Sequence, residues 1–354
     1  MANEFATLKD ITALNGLTMP GTVGLVDNII NVAPELDRVL GRPIPGISYE
    51  ATILTALGNN GAFRRVNSGV ALSAPSIDSK RFNCFPWDCQ FSVDEALLIK
   101  GRSQGETPAE IFTTFATSGV RQKALYLGRQ FYQGSLNDPL GPPGLQDFLF
   151  TQRTQVDSRT GQKINQAYDA GGVTPGQCEI VWFIKQGPQG VHWLFGNNTG
   201  IIMNPWMRQY VTPSDSTGAS PKRQLAWNSN LFGYIGTSMA QYHAVGAIVN
   251  INAVSNGTTN GIPTYPNPLT DGLTGSLWGL WPITMKPDLC FASQRAIVSL
   301  QMSRSVTNFV NSDNRKWTGQ AAPIADFPTH LPLCGGIPII PTDSIIQGNQ
   351  YILN

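Results

Sequence analysis

The three histidines and five cysteines are the residues from which a catalytic or metal centre would have to be built. Catalysis needs a base, a nucleophile or a metal held in place. His192 sits in an apolar run beside Trp193, His243 precedes another apolar run, and His330 lies in a Pro-rich segment, so each reads as a structural or exposed histidine. Cys84 and Cys89 have Pro86 between them, and Cys178, Cys290 and Cys334 are scattered. That spacing is not a zinc ligand set, and it predicts buried or half-buried thiols in a reducing compartment. Gly101-Arg102-Ser103-Gln104-Gly105 lacks the lysine and spacing of a phosphate cradle. The expectation is a protein that is not an enzyme and holds no cofactor or metal. The side chains left to do chemistry are Arg64 and Arg65, whose planar guanidiniums fork onto carboxylates. With Asn67, Lys80 and Arg81 they form the set of candidate contacts to another subunit.

The element that must position them is the stretch from Ala62 to Leu98. Asn67 to Lys80 has almost nothing to bury, and Gly69, Ser73, Pro75, Ser76 and Ser79 are turn and loop formers. Strand formers flank it: Phe63 and Val66 before, then Phe82, Phe85, Phe91 and Val93, with a strand-like return ending in Val93-Asp94-Glu95-Ala96-Leu97. This predicts a long projecting hairpin with the arginine pair at its base. Such a hairpin loses conformational entropy at every residue and buries little against its own chain. It orders when another surface receives it, so the chain is expected to work by touching copies of itself.

Composition agrees. Of 354 residues, 41% are hydrophobic and only 13% charged, against roughly 25% charged in an ordinary soluble protein. Interface cores are depleted in charge. Thirty-six Gly and 25 Pro imply many turns rather than a helical bundle. The net charge of +1 gives no basic stripe or tail, which predicts no sequence-specific or strong electrostatic binding of DNA. The opening MANEFATLKD has no signal-peptide pattern, and no uncharged apolar run reaches the ~18 residues of a membrane span.

Along the chain, residues 1–45 read as an arm with short helical patterns at Thr22–Val32 and Pro34–Leu40. Thr107-Pro108-Ala109-Glu110 is a capping box with proline in the first turn. From it Phe112, Ala116, Val120, Ala124, Leu127 and Phe131 recur at helical spacing, and Gly134 is a natural stop. A helix from Pro108 to Gln133 is predicted. Cys178–Lys185 and Val191–Phe195 are expected to pair as a hairpin, and Tyr242–Ile251 to form a strand. Residues 196–230 and 254–282 read as loops, Lys286–Val306 as a second helix, and Gly336–Ile340 and Tyr351–Leu353 as terminal strands. Trp206, Trp227, Trp278, Trp281 and Trp317, all in loop-like segments, are expected to be local core plugs. The fold class is α+β, without regular βαβ alternation.

The ordered set of a short helical arm, Arg42–Gly46 (RPIPG), Phe63–Val70 (FRRVNSGV), Val93–Leu97 (VDEAL) and Gly335–Ile345 (GGIPIIPTDSI) resembles the major capsid proteins of tailed bacteriophages, of the Hong Kong 97 fold type. The resemblance runs through nearly the whole chain. It implies an N-terminal arm at 1–46, an extended loop at 47–92, and a peripheral domain with a spine helix at 93–145, completed by 331–354. An axial domain would occupy 146–330. It implies pentamers and hexamers of one chain tiling an icosahedral virion shell around double-stranded DNA, made in the host bacterial cytoplasm, with no membrane. Portal and decoration proteins are implied partners. No long N-terminal extension precedes the arm, so a separate scaffolding protein is expected. Two alternatives stand beside this: an encapsulin-like nanocompartment shell with the same fold, and a secreted β-rich carbohydrate-binding protein.

Overall fold

The computed structural model describes residues 33–56, 63–69, 74–103, 105, 107–156, 161, 163–174, 176–211, 223–254, 258–259, 262–263, 265–311 and 333–345. The first elements are α1 (Glu35–Arg38), β1 (Gly41–Pro43), β2 (Ser48–Ala56), β3 (Ser76–Asn83) and β4 (Phe85–Asp94). Next come α2 (Glu95–Ser103), α3 (Pro108–Gln133) and α4 (Leu145–Gln152). Strands β5 (Ala167–Asp169), β6 (Cys178–Ile184), β7 (Val191–Phe195), β8 (Ile202–Met203), β9 (Met207–Val211), β10 (Gln224–Met239) and β11 (Val245–Asn252) follow. After the short pair β12 (Thr258–Thr259) and β13 (Ile262–Pro263) the chain ends in α5 (Asp271–Gly279), β14 (Leu289–Ala292), α6 (Gln294–Asn311), β15 (Leu333–Cys334) and β16 (Ile337–Pro341). The patterns expected at Thr22–Val32 and Tyr351–Leu353, together with His330 and Trp317, lie outside the described residues.

Two six-stranded mixed sheets form the body. One has the order β1-β7-β10-β4, with β8 and β9 also on β10. The other has the order β15-β16-β14-β6-β11-β5. Strands β6 and β11 are buried along their whole length, which explains why apolar residues dominate both faces of each. Trp182, Trp193, Phe131, Tyr132, Phe183 and Phe291 are the largest enclosed side chains, each contributing about 1.5–3 kcal/mol by leaving water.

The long helix begins and ends where its caps dictate. The Thr107 hydroxyl accepts from the Glu110 N–H at 3.4 Å, and the Glu110 carboxylate accepts from the Thr107 N–H at 2.9 Å. Gly134 closes the helix with φ of 56°, a left-handed conformation that glycine adopts without penalty. The helix is about 39 Å long at ~1.5 Å per residue. Its expected stripe is covered only in part. Leu127 and Phe131 are in the core, whereas Val120 is 41% exposed. The C-terminal half packs on the body, while the N-terminal half meets a small cluster around Val93, Leu97, Leu98 and Ile111, with Gly119 against Phe91.

Several expectations are corrected. The strand-like return stops at Asp94, whose carboxylate accepts from the Ala96 N–H at 3.0 Å and starts helix α2. Cys178–Lys185 and Val191–Phe195 do not pair as a hairpin: β6 joins β11 and β14, whereas β7 joins β1 and β10. Strands buried on both faces carry no alternation that would name a partner. Tyr242–Ala244 is a 3-10 turn, and the strand starts at Val245. Residues 196–230 and 254–282, read as loops, contain β8, β9, the start of the 16-residue β10 and helix α5. Within the helix expected from Lys286, Leu289–Ala292 is strand β14. Helix α6 starts only after Ser293, whose hydroxyl accepts from the Ala296 N–H at 3.2 Å.

Glu179, on β6, is 1% exposed. Burial pushes its carboxyl up to about 7, against the Arg295 guanidinium and the Ala296 N–H, which favour the charged form. A carboxyl raised in the fold leaves stability intact below its unfolded value near 4.5 and removes it progressively as pH rises towards 7. The full cost is at most about 3 kcal/mol. Glu179→Gln keeps an acceptor and removes the charge. It should raise the melting temperature by several degrees at pH 8 and change little at pH 4.5. Equal shifts at both pH values, read by calorimetry, would count against the buried charge as the cause.

Candidate functional site

The hairpin consists of β2 and β3, paired from Ser48↔Asn83 to Ala56↔Ser76. Its two ends meet: the Cys84 N–H donates to the Ile47 carbonyl at 2.8 Å. Strand alternation assigns its two faces. Tyr49 with Phe82 and Ala51 with Lys80 turn towards the body. Glu50 with Arg81, Thr52 with Ser79 and Leu54 with Ile77 share the other face. Near the body Ala51 and Phe82 are buried; further out Leu54 is 54% and Ile77 63% exposed. The hairpin is therefore held at its root, and its outward face stands open to solvent further along.

The root is an aromatic clasp. Phe82 meets Phe148 edge-on at 6.4 Å between ring centroids, and Tyr49 meets His192 at 5.9 Å. Lys80 inserts between them. Its Nζ lies 4.9 Å from the Tyr242 ring centroid, 5.2 Å from Phe82 and 5.8 Å from Phe148, and donates to the Met239 carbonyl at 3.3 Å. Burial lowers the Lys80 pKa to about 8, and the three ring faces act in the opposite sense. Arg42 supports Tyr49 from outside, donating to its hydroxyl at 3.0 Å.

The five residues singled out in the sequence are not brought together. Arg64, Arg65 and Asn67 lie in the connection beyond the strands, at the outer end of the hairpin and not at its base. The cause is register. Tyr49 and Ala51 place the outgoing strand at 48–56, so Phe63 and Val66, read as strand formers, have no partner strand and stand exposed. Here the chain makes a turn. Ser68 donates through N–H and hydroxyl to the Arg65 carbonyl at 3.1 and 2.8 Å, and Arg64 Nη1 donates to the Ser68 carbonyl at 2.8 Å. Asn67 takes φ of 66°, which asparagine tolerates. The Arg65 guanidinium meets no partner among the described residues. Arg81 donates to the Ser48 hydroxyl at 3.2 Å on the open face. Lys80 is committed to its own chain and is thereby a positioning residue for the hairpin. The signal was present: Lys80 and Phe82 share a strand face, so one burying implies the other pointing inward.

A second surface faces outward from α3. Phe112, Ala116 and Val120 line an open groove of about 770 Å³ with Met203 and Trp206. Trp206 stacks on Phe112 with centroids 4.6 Å apart. Trp206 and Trp227 pack against the small cluster beneath it, Trp227 from strand β10 and not from a loop, and Trp281 is buried in the main core.

The sequence missed a polar junction altogether. The Glu35 side chain, fully buried, accepts from the Thr342 hydroxyl at 2.9 Å, from the Tyr132 hydroxyl at 3.4 Å and from the Ser344 hydroxyl. Trp193 Nε1 donates to the Glu35 carbonyl at 3.2 Å. Burial raises the Glu35 carboxyl and the three hydroxyl donors oppose it. Arm, long helix and C-terminal segment are tied at one carboxylate. Among the described residues no cluster of His, Cys, Asp and Glu could hold a metal, and no helix is long and apolar enough to cross a membrane.

The fold has solved counterparts. A chain of bacteriophage Epsilon15 superposes with a TM-score of 0.64 at 15% identity, covering 100% of this chain and 99% of that one. A chain of the bacteriophage JBD30 capsid gives 0.45 at 7% identity, over 81% and 88% of the two chains. One from an encapsulin complex of Synechococcus elongatus gives 0.41 at 10%, over 72% and 99%. No family model and no curated protein matches the sequence. The end-to-end likeness to the Epsilon15 chain shows the fold: α+β, of the Hong Kong 97 capsid type.

Proposed function

We propose that this chain is the major capsid protein of a tailed bacteriophage and that it acts by self-association, without catalysis. The observation that carries this is the hairpin: two strands clasped at the root, leaving Leu54, Phe63, Val66 and Ile77 exposed beyond the body. Such a tip is ordered by a neighbour's surface. The groove on α3 offers the neighbour an apolar seat, so tip and groove on successive copies make a head-to-tail contact, which closes into rings when its rotation allows. Pentamers and hexamers built this way tile an icosahedral shell around double-stranded DNA. Near-zero net charge supports filling without sequence-specific DNA binding. A separate scaffolding protein, a portal and a decoration protein are the partners this function implies, and the virion is the place where the chain resides.

Electron microscopy of protein produced with its phage partners tests the proposal. Closed particles are expected; a folded protein that stays monomeric under those conditions overturns it. DNA inside particles from infected cells distinguishes a capsid from a nanocompartment. Arg65→Glu reverses the charge at the unpartnered tip. It should cut particle yield about tenfold or more while leaving the subunit's melting temperature unchanged, as for charge reversal at an interface. Undiminished yield would remove Arg65 from the contact.

A further inference from the structure

His192, on β7, lies under the root of the hairpin and is 2% exposed. Its Nδ1 is 3.0 Å from the Gly187 carbonyl, which can only accept, so Nδ1 carries the proton of a neutral ring. Nε2 is enclosed and meets no hydrogen-bonding partner. Ser238, opposite it on β10, brings an uncharged hydroxyl that is itself unpaired. Tyr49 of β2 covers the ring, edge to face.

Two cations share this root. Arg42, from β1, donates to the Tyr49 hydroxyl, and its guanidinium carbon stands 4.7 Å from the centre of the Tyr49 ring. Lys80, from β3, is held at the carbonyl of Met239, the residue after Ser238. Asp78, further out on the same face of β3, is exposed and acts on Tyr242. Among the described residues no carboxylate bears on the imidazole. His243 lines the cleft beneath the outer part of the hairpin, with Ile53 and Thr55.

We infer that His192 is an acid-operated latch: a proton on Nε2 unfastens the root of the hairpin from the body. The proton would place an N–H without an acceptor, and a third positive charge, in an enclosed space. Relief comes when Tyr49 lifts and water reaches the ring. Lys80 and Phe82 lie on the same hairpin face as Tyr49, so they lift with it. Burial holds the imidazole below its usual 6.5, with Arg42 acting in the same sense and the backbone of Gly187 and Gly190 against it. The clasped form resists a proton that the open form accepts, so the latch loosens as pH falls below about 6.5. Glu35 and Glu179 have carboxyls raised by burial, and they make the rest of the fold more stable in acid. Loosening is therefore confined to the hairpin. A two-stranded hairpin is marginal on its own, so once undocked its own ladder opens too.

Amide hydrogen exchange of the unassembled full chain, corrected for intrinsic rates, provides the test. Between about pH 7.5 and about pH 5, protection of residues 48–51 and 80–83 should fall about tenfold or more and return on neutralisation. Protection of β6 and β11 should hold. His192→Gln should abolish the pH dependence, and His243→Gln should keep it. In the unmutated chain, slow deuterium exchange at the imidazole C2 carbon gives the titration midpoint of His192 itself, which should coincide with the loosening. Undiminished protection in acid, a loss shared equally by β6 and β11, or a midpoint that follows His243 instead would overturn the inference. The C2 measurement uses no variant, so it decides the matter even if His192→Gln misfolds. The latch acts within one subunit, so its failure would leave the capsid reading untouched.

Discussion

Cutting the hairpin just above its clasp is expected to give a folded subunit that forms no particles. Ala51 and Lys80 are cross-strand partners, so the chain can be rejoined between them. Replacing Thr52–Ser79 with Asn-Gly supplies the two-residue turn that antiparallel strands favour. The clasp survives: Tyr49, Ala51, Lys80 and Phe82 stay on their aromatic partners. What is lost buried little, since Leu54, Ile77 and the tip are exposed. Stability should change by no more than about 1 kcal/mol, as for surface substitutions. Assembly should fail altogether, because the receiving groove loses its occupant. Circular dichroism and urea unfolding follow the body, and electron microscopy follows the shells. Collapse of the body would mean that the hairpin belongs to the core, and normal shells would mean that it is not the assembly element.

Gly128→Ala is expected to destabilise the body by about 2–4 kcal/mol. Two effects oppose one another. In a helix interior, alanine is favoured over glycine by about 1 kcal/mol. Here, however, an added Cβ would overlap the Glu35 carboxylate and the Ser344 hydroxyl. Those atoms are hydrogen-bonded to each other and fully enclosed, so neither can yield without leaving a buried polar group unpaired. The clash therefore decides the sign. Urea unfolding reads the loss directly. A gain in stability would show that the junction yields freely. Adding Glu35→Ala removes the obstructing carboxylate, so the two changes should be strongly non-additive in a double-mutant cycle.

The long helix was legible because everything that defines it is local: Thr107, Pro108, Glu110 and Gly134 lie at its own ends. The hairpin was legible from a run with nothing to bury, but its register was not. Phe63 and Val66 have strand propensity and no partner, while the pairing is fixed by Tyr49 and Phe82 gripping residues about 65 to 145 positions further on. The beginning of β10 escaped notice because Asn228, Ser229 and Asn230 favour turns, yet β4 supplies a partner along ten residues. Tertiary pairing overrides such propensities. Lys80 carried a readable signal in its spacing from Phe82. Glu35 carried none: in sequence it is a polar residue on a short amphipathic helix, and its partners are recognised only in space.

The Glu35 junction also puts a clock on the chain. Thr342 and Ser344 are 307 and 309 positions downstream. At ~5–20 residues per second, a ribosome needs about 15–60 s to reach them after making Glu35. Throughout that interval the first helix cannot be sealed onto the long helix by its full set of hydroxyls. A nascent or prematurely terminated chain thus has an unsealed arm at the junction.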